Sequence, residues 1–290
     1  MKYLTPAIVR AVGTGLPLQT VPDSDLAGLI SLAEMDVDSY CSVREDQNLG
    51  FSLGSRTEQH KWNPVQRRVY PDCMPVPVRS ISSFTIVVSQ SSFDGSYVQA
   101  NIQPNLVVIQ NTTEYLEPIS LSVIAWGLTP VLAQLTVLQP FCVVTYVAGY
   151  TLPKSSFVLI NQGGAGTVYH SFLPAWDTGV IPSVSINGVV QLSSTYAVSY
   201  PDGTITLATP AQPTDVVTAS FTSTIPDVIV QATRLAFQDR AGEYLTNQIG
   251  MAGTDQMDVG RRKLRRHDMQ AKPTWQRLLD PYRRMTVALA

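Results

Sequence analysis

The stretch Ser185-Ile186-Asn187-Gly188-Val189-Val190, followed by Tyr196-Ala197-Val198-Ser199-Tyr200, Pro201-Asp202-Gly203, Thr204-Ile205-Thr206-Leu207-Ala208 and Val216-Val217-Thr218-Ala219-Ser220-Phe221-Thr222, alternates strand-forming residues with tight-turn signals. Asn-Gly and Asp-Gly favour the left-handed backbone that two-residue hairpins need, so both pairs fall where a turn is required. This block, extended to 155–225, reads as a small β-sandwich or barrel.

Upstream the pattern stays β-rich. Ile81–Ser89, Tyr97–Ile102, Leu106–Gln110, Tyr115–Ile124 and Val143–Val147 are strand candidates. The run 118–153 is uncharged and longer than a membrane span, but Pro130, Gln134, Thr136, Gln139 and Pro140 interrupt it, which predicts two or three buried strands instead. Gly163-Gly164-Ala165-Gly166 lacks the Lys-Ser or Lys-Thr of a phosphate-binding loop and reads as a turn.

Helices belong to the two ends. Asp23 or Ser24 caps a segment in which Leu26, Leu29, Ile30, Ala33, Val37 and Tyr40 recur every three to four residues. Near the other end, Pro226 suits a first turn and Asp227 complements the helix dipole, and Val228, Ala232, Leu235, Ala236 and Leu245 form a stripe that stops at Gly250. Each stripe needs a partner, and each fits the other. The expected fold is therefore α+β, a helical frame from both chain ends with an inserted β-rich region. The parts are 1–79 (helical frame), 80–154 (β-rich core), 155–225 (inserted sandwich) and 226–290 (helix and terminal arm).

Charge follows a similar division. Residues 1–79, 80–225 and 226–290 carry net charges of −1, −5 and +4, so an overall −2 conceals an acidic middle and a basic tail. Only 14% of residues are charged while 44% are hydrophobic, so disorder is not the default reading, and the balance fits either a β-rich protein with a polar, uncharged surface or extensive protein contacts. Cys41, Cys73 and Cys142 form no Cys-x-x-Cys pair and leave one residue over, which indicates neither a disulfide framework nor a zinc site and fits a reducing compartment. Pro6 and Arg10 interrupt any signal-peptide core, so secretion is not expected, and the sequon at Asn111 carries no weight.

No catalytic, cofactor or metal set emerges at a recognisable spacing. His60, His170 and His267 read as isolated structural or surface residues, and no nucleophile elbow accompanies the serines. Trp62, with Arg67-Arg68 and the proline-rich stretch 71–77, reads as a linker or a subunit contact.

The chain closes on Pro273-Thr274-Trp275-Gln276-Arg277-Leu278-Leu279-Asp280-Pro281-Tyr282-Arg283-Arg284. Trp275, Leu278, Leu279 and Tyr282 fall on one side of a short helix that Pro281 ends, and burying them would yield about 1.5 to 3 kcal/mol each before ordering costs. Such an arm either docks on a partner, gaining avidity from many copies, or packs back on its own domain. Just before it, Arg261, Arg262, Lys263, Arg265 and Arg266 form a basic cluster without interleaved aromatics, suited to an acidic neighbour rather than to reading bases.

Four segments together resemble the head-to-tail connector, or adaptor, proteins of long-tailed bacteriophages: the capped helix 23–41, the strand and turn 143–150, the helix 227–245, and the ending 275–284. The ending is the most specific, because that family commonly closes on a Leu-Leu-x-Pro-Tyr-Arg-like segment that contacts the portal ring. The resemblance implies a structural virion protein and not an enzyme, forming a homo-oligomeric, dodecameric ring at the neck, assembled in the host cytoplasm. It implies portal protein on one side, a stopper, terminator or tail tube protein on the other, and DNA passing through without sequence reading, with no cofactor and no membrane. Portal-binding residues would be Trp275, Arg277, Leu278, Leu279, Tyr282, Arg283 and Arg284, with Arg261, Arg262, Arg265 and Arg266. The acidic middle, Asp94, Asp177 and Asp202 included, either lines the channel or faces outward. The alternative is a tail or surface β-module that binds a receptor or glycan through an aromatic groove around Tyr169, Trp176 or Tyr196. A cell-wall hydrolase, the third class, has no paired carboxylates to support it.

Overall fold

A computed structural model describes residues 3–11, 16, 18–41, 43, 49–63, 66–72, 76–89, 97–110, 120–123, 141–161, 165–248, 256–259, 262–265 and 273–282. Helices and several antiparallel sheets coexist, so the chain is α+β. It forms two compact units, one from 1–41 with 150–282 and the other centred on 42–149.

The first unit unites both chain ends. Helices α1 (Pro6–Ala11) and α2 (Asp23–Cys41) lie at its start. Apolar periodicity places α2 as the sequence predicts, and its seam buries Leu26, Leu29, Ile30, Ala33 and Val37. The helix starts ahead of the expected cap: the Pro22 carbonyl accepts from Asp25 and Leu26, and Asp23 lies in the first turn with its carboxylate paired to Arg10. Helix α3 (Asp227–Gln248) packs along α2, but its seam is turned from the expected stripe. Ile229, Ala232, Thr233, Ala236, Phe237, Ala241 and Leu245 are buried, while Val228 and Leu235 are only half-buried. Thr233 tolerates the seam because its hydroxyl donates to the Ile229 carbonyl at 2.8 Å. The short helix α4 (Thr274–Leu279) lies against both α3 and α2.

Between the helices, the second chain of strands begins at β8, numbered after seven in the other unit: β1 (Gly54–Lys61), β2 (Arg68–Val69), β3 (Val78–Ser89), β4 (Tyr97–Ile102), β5 (Val107–Gln110), β6 (Ser120–Val123) and β7 (Phe141–Ala148). Eight strands build the sandwich: β8 (Leu152–Val158), β9 (Ile160–Asn161), β10 (Val168–His170), β11 (Ser183–Ile186), β12 (Val189–Val190), β13 (Tyr196–Ser199), β14 (Thr204–Leu207) and β15 (Val217–Ser223). They form two four-stranded sheets, β12-β11-β15-β8 and β13-β14-β10-β9. Strand β15 alternates strictly, with Val217, Ala219, Phe221 and Ser223 buried and Thr218, Ser220 and Thr222 half-buried between them. Phe221 stacks on Trp176 at 4.0 Å in the core.

Both turns predicted from sequence form. Asn187 and Gly188 adopt φ of 51° and 80° and join β11 to β12. Gly203 has φ 62°, and a Cβ there would stand 2.0 Å from the Leu173 carbonyl oxygen, so the position admits glycine alone. A hairpin of β16 (Gln256–Val259) and β17 (Arg262–Arg265) precedes α4.

In the second unit, β1-β7-β3-β4 form one antiparallel sheet and β2-β6-β5 another. The helical N-terminal part thus stops at Cys41, and the stretch expected to extend it to residue 79 already contains β1 and β2. Within the long uncharged run, β6 and β7 form, and 124–140 lie outside the described residues. Among the described residues no helix is long and apolar enough to cross a membrane.

Candidate functional site

The terminal segment meets the helical frame through its apolar side chains. Helix α4 spans two turns only, so Trp275 and Leu279, four apart, share a face. Both are buried, Leu279 completely, and Trp275 meets the Tyr40 ring edge-to-face at 5.7 Å. The Tyr40 hydroxyl donates to Asp280 Oδ1 at 2.6 Å, which fixes the segment just where Pro281 turns it. The expectation that Trp275 and Leu279 face a partner is therefore corrected, because the groove between α2 and α3 already accepts them. Leu278 and Tyr282 are half-buried and Arg277 is exposed, so these three form the outward rim. Arg283 and Arg284 lie outside the described residues.

Polar fastenings hold the same frame. Arg240 on α3 grips Asp36 on α2 with Nε to Oδ2 at 2.8 Å and Nη2 to Oδ1 at 2.9 Å, and this pairing with burial outweighed keeps the guanidinium pKa raised. The Tyr244 hydroxyl donates to Asp25 at 2.7 Å. The N-terminal segment is clasped too: the Tyr3 backbone N–H donates to Glu34 Oε1 at 2.7 Å and its hydroxyl to Asp38 Oδ1 at 2.5 Å. Glu34 and Asp38 thereby occupy the buried seam without breaking it. A groove of about 340 Å³, lined by Asp36, Ser39, Tyr40, Arg240, Trp275 and Gln276, borders the arm.

The basic cluster stands on a strand and not on a loop. Arg262 pairs with Val259 and Arg265 with Gln256 across the β16-β17 hairpin, while Arg261 and Arg266 lie outside the described residues.

Two of the three aromatics expected to form a sugar-binding groove are buried. Trp176 and Tyr169 are core residues, and the Tyr196 hydroxyl donates to the Pro182 carbonyl at 2.6 Å. The large hydrophobic side chains that the sandwich exposes are aliphatic, Val158, Val189, Val190 and Val216 among them. His170 is buried with both ring nitrogens lacking a protein partner, and burial, opposed by Asp202, lowers its pKa.

His60 is not isolated. Strand alternation sets Glu58 and His60 on one face of β1, and Asp72, beyond β2, meets them there, all three half-buried. His60 Nε2 lies 2.9 Å from Glu58 Oε2, the Asp72 backbone N–H donates to the same oxygen at 2.8 Å, and the Tyr146 hydroxyl donates to Glu58 Oε1. Burial alone would raise the Glu58 pKa, but the hydrogen bonds from His60, Tyr146 and Asp72 outweigh it and hold the carboxyl below its usual 4.5. Sequence reasoning passed over this group although Glu58-x-His60 is a same-face spacing on a strand; the strand itself was not foreseen. Trp62, read as linker or contact, is buried and meets Phe84 edge-to-face at 5.7 Å. Cys41 and Cys142 are free, buried thiols with pKa pushed up to about 12 by burial, and Cys73 lies outside the described residues.

No protein-family model, curated protein or solved structure matches this chain.

Proposed function

We propose that this chain is a structural virion protein of the connector type, forming a ring that joins the portal vertex to the tail and continues the DNA channel. The observation that carries the reading is the seat of the closing segment: 274–282 lies on a frame made by α2 and α3, one helix from each end of the chain. A segment clamped this way presents Arg277, Leu278 and Tyr282 on a rigid body, which lowers the ordering cost of docking compared with a loose arm. Trp275 and Leu279 then act as the hinge-side anchors of the arm and not as its contact to the portal. The aliphatic end of the sandwich suits contacts to neighbouring protein, since Val158, Val189, Val190 and Val216 are exposed there.

Electron imaging of the purified full chain, alone and mixed with portal protein, tests the proposal. Closed rings of one symmetry, or a stable assembly with portal rings, are expected. A chain that stays monomeric and ignores the portal overturns it, and glycan binding by that monomer favours the tail-module alternative. Charge reversal at Arg265 should weaken portal association and flatten its salt dependence; unchanged affinity removes the basic cluster from the interface.

A further inference from the structure

The geometry points to a divalent metal site at Glu58, His60 and Asp72 in the second unit, suited to zinc or a similar first-row cation. It stands apart from the connector reading and does not depend on it.

The donor set comes from two elements, β1 and the turn after β2, and the ligand atoms all lie within 4.8 Å of one another. Tetrahedral zinc with bonds of roughly 2.0 to 2.2 Å sets its ligand atoms about 3.3 Å apart. His60 Nε2 and Glu58 Oε2, now 2.9 Å apart, need to separate by only a few tenths of an ångström. The Asp72 carboxylate lies within 4.8 Å of both.

Chemistry favours the same occupant. One imidazole nitrogen and two carboxylates form the mixed N/O set that first-row divalent cations accept, with water completing the fourth position. Two carboxylates at half-buried positions match the charge of a dication. Tyr146 supplies the outer support: its hydroxyl, reaching from β7, orients the Glu58 carboxylate from the oxygen opposite His60. The Asp72 backbone N–H performs the same service on Oε2, so the turn that carries one ligand also positions another.

The test titrates the full chain, stripped with chelator, with Zn²⁺ alone by calorimetry, and then with Co²⁺ as a spectroscopic probe. One Zn²⁺ per chain is expected, and His60→Gln or Asp72→Asn should weaken it by more than the roughly 10- to 100-fold typical of outer-support changes. Tyr146→Phe should weaken it about 10-fold. Co²⁺ bound to the unmodified chain should give ligand-field bands of nitrogen and oxygen donors without a thiolate charge-transfer band, a readout that needs no variant to fold. Absence of Zn²⁺ binding by the unmodified chain overturns the site. So does binding that folded His60→Gln and Asp72→Asn chains retain in full, or a thiolate band with Co²⁺.

Discussion

The two units spend their ionisable side chains in opposite ways. In the helical frame they are dispersed as long-range pairs, each tying a different segment: Tyr3 to Glu34 and Asp38, Arg240 to Asp36, Tyr244 to Asp25, Tyr40 to Asp280. On the β1-β7 sheet they converge, with Glu58, His60, Asp72 and Tyr146 meeting around one carboxylate. Dispersed pairs fasten a fold, because each replaces water at one place and asks nothing of the others. Convergent groups offer several ligand atoms to one point, which dispersed pairs do not, and that is why the second arrangement reads as a site and the first as carpentry.

Truncating the arm's anchor should break the first half of that comparison most severely. Trp275→Ala removes an aromatic ring packed on Tyr40, and a loss of about 3 to 5 kcal/mol in denaturant unfolding of the first unit is expected. A change near zero would show an arm that is not part of the frame. Next in size is Tyr3→Phe, which deletes a hydrogen bond to the carboxylate of buried Asp38 and should cost about 1.5 to 3 kcal/mol by the same measurement. Arg240→Ala should cost less, up to about 1 kcal/mol, because the guanidinium is 42% exposed and water screens its pairing with Asp36.

How far these features were legible in the sequence depended on whether a residue's role was local. Apolar spacing places α2, and Asn187-Gly188 and Asp202-Gly203 place two turns, because neighbours in sequence decide each. Helix α3 was found but its seam misplaced, since Phe237 and Thr233 were not counted in the stripe while the half-buried Leu235 was. Strand β1 was invisible for a related reason: its inward face carries Arg56, Glu58 and His60 where a core strand normally shows aliphatic residues. Arg56 is buried only because its guanidinium donates to the Gly50 and Ser52 carbonyls, a partnership no periodicity announces. The closing segment shows the limit from the other side. Its apolar face was plain, but whether Trp275 met another chain or its own rested on a tyrosine 235 positions away.

Acid should separate the two units by pH window, with the smallest effects of the series. His170 has its folded pKa lowered by burial, so its contribution to sandwich stability is fully present above 6.5 and is lost as pH falls below that value through the folded pKa. Glu58 also has a lowered pKa, so its contribution is present above 4.5 and is lost only as pH falls further. Hydrogen-exchange protection of the β10 amides, relative to their intrinsic rates at each pH, should therefore fall on mild acidification, before that of the β1 amides. His170→Phe, which keeps the ring stacked on Phe172, should remove the first step and leave the second. Glu58→Gln should do the reverse. Simultaneous loosening of both strands, unchanged by either substitution, would mean that one global unfolding event governs the acid response and that neither buried group sets its unit's stability.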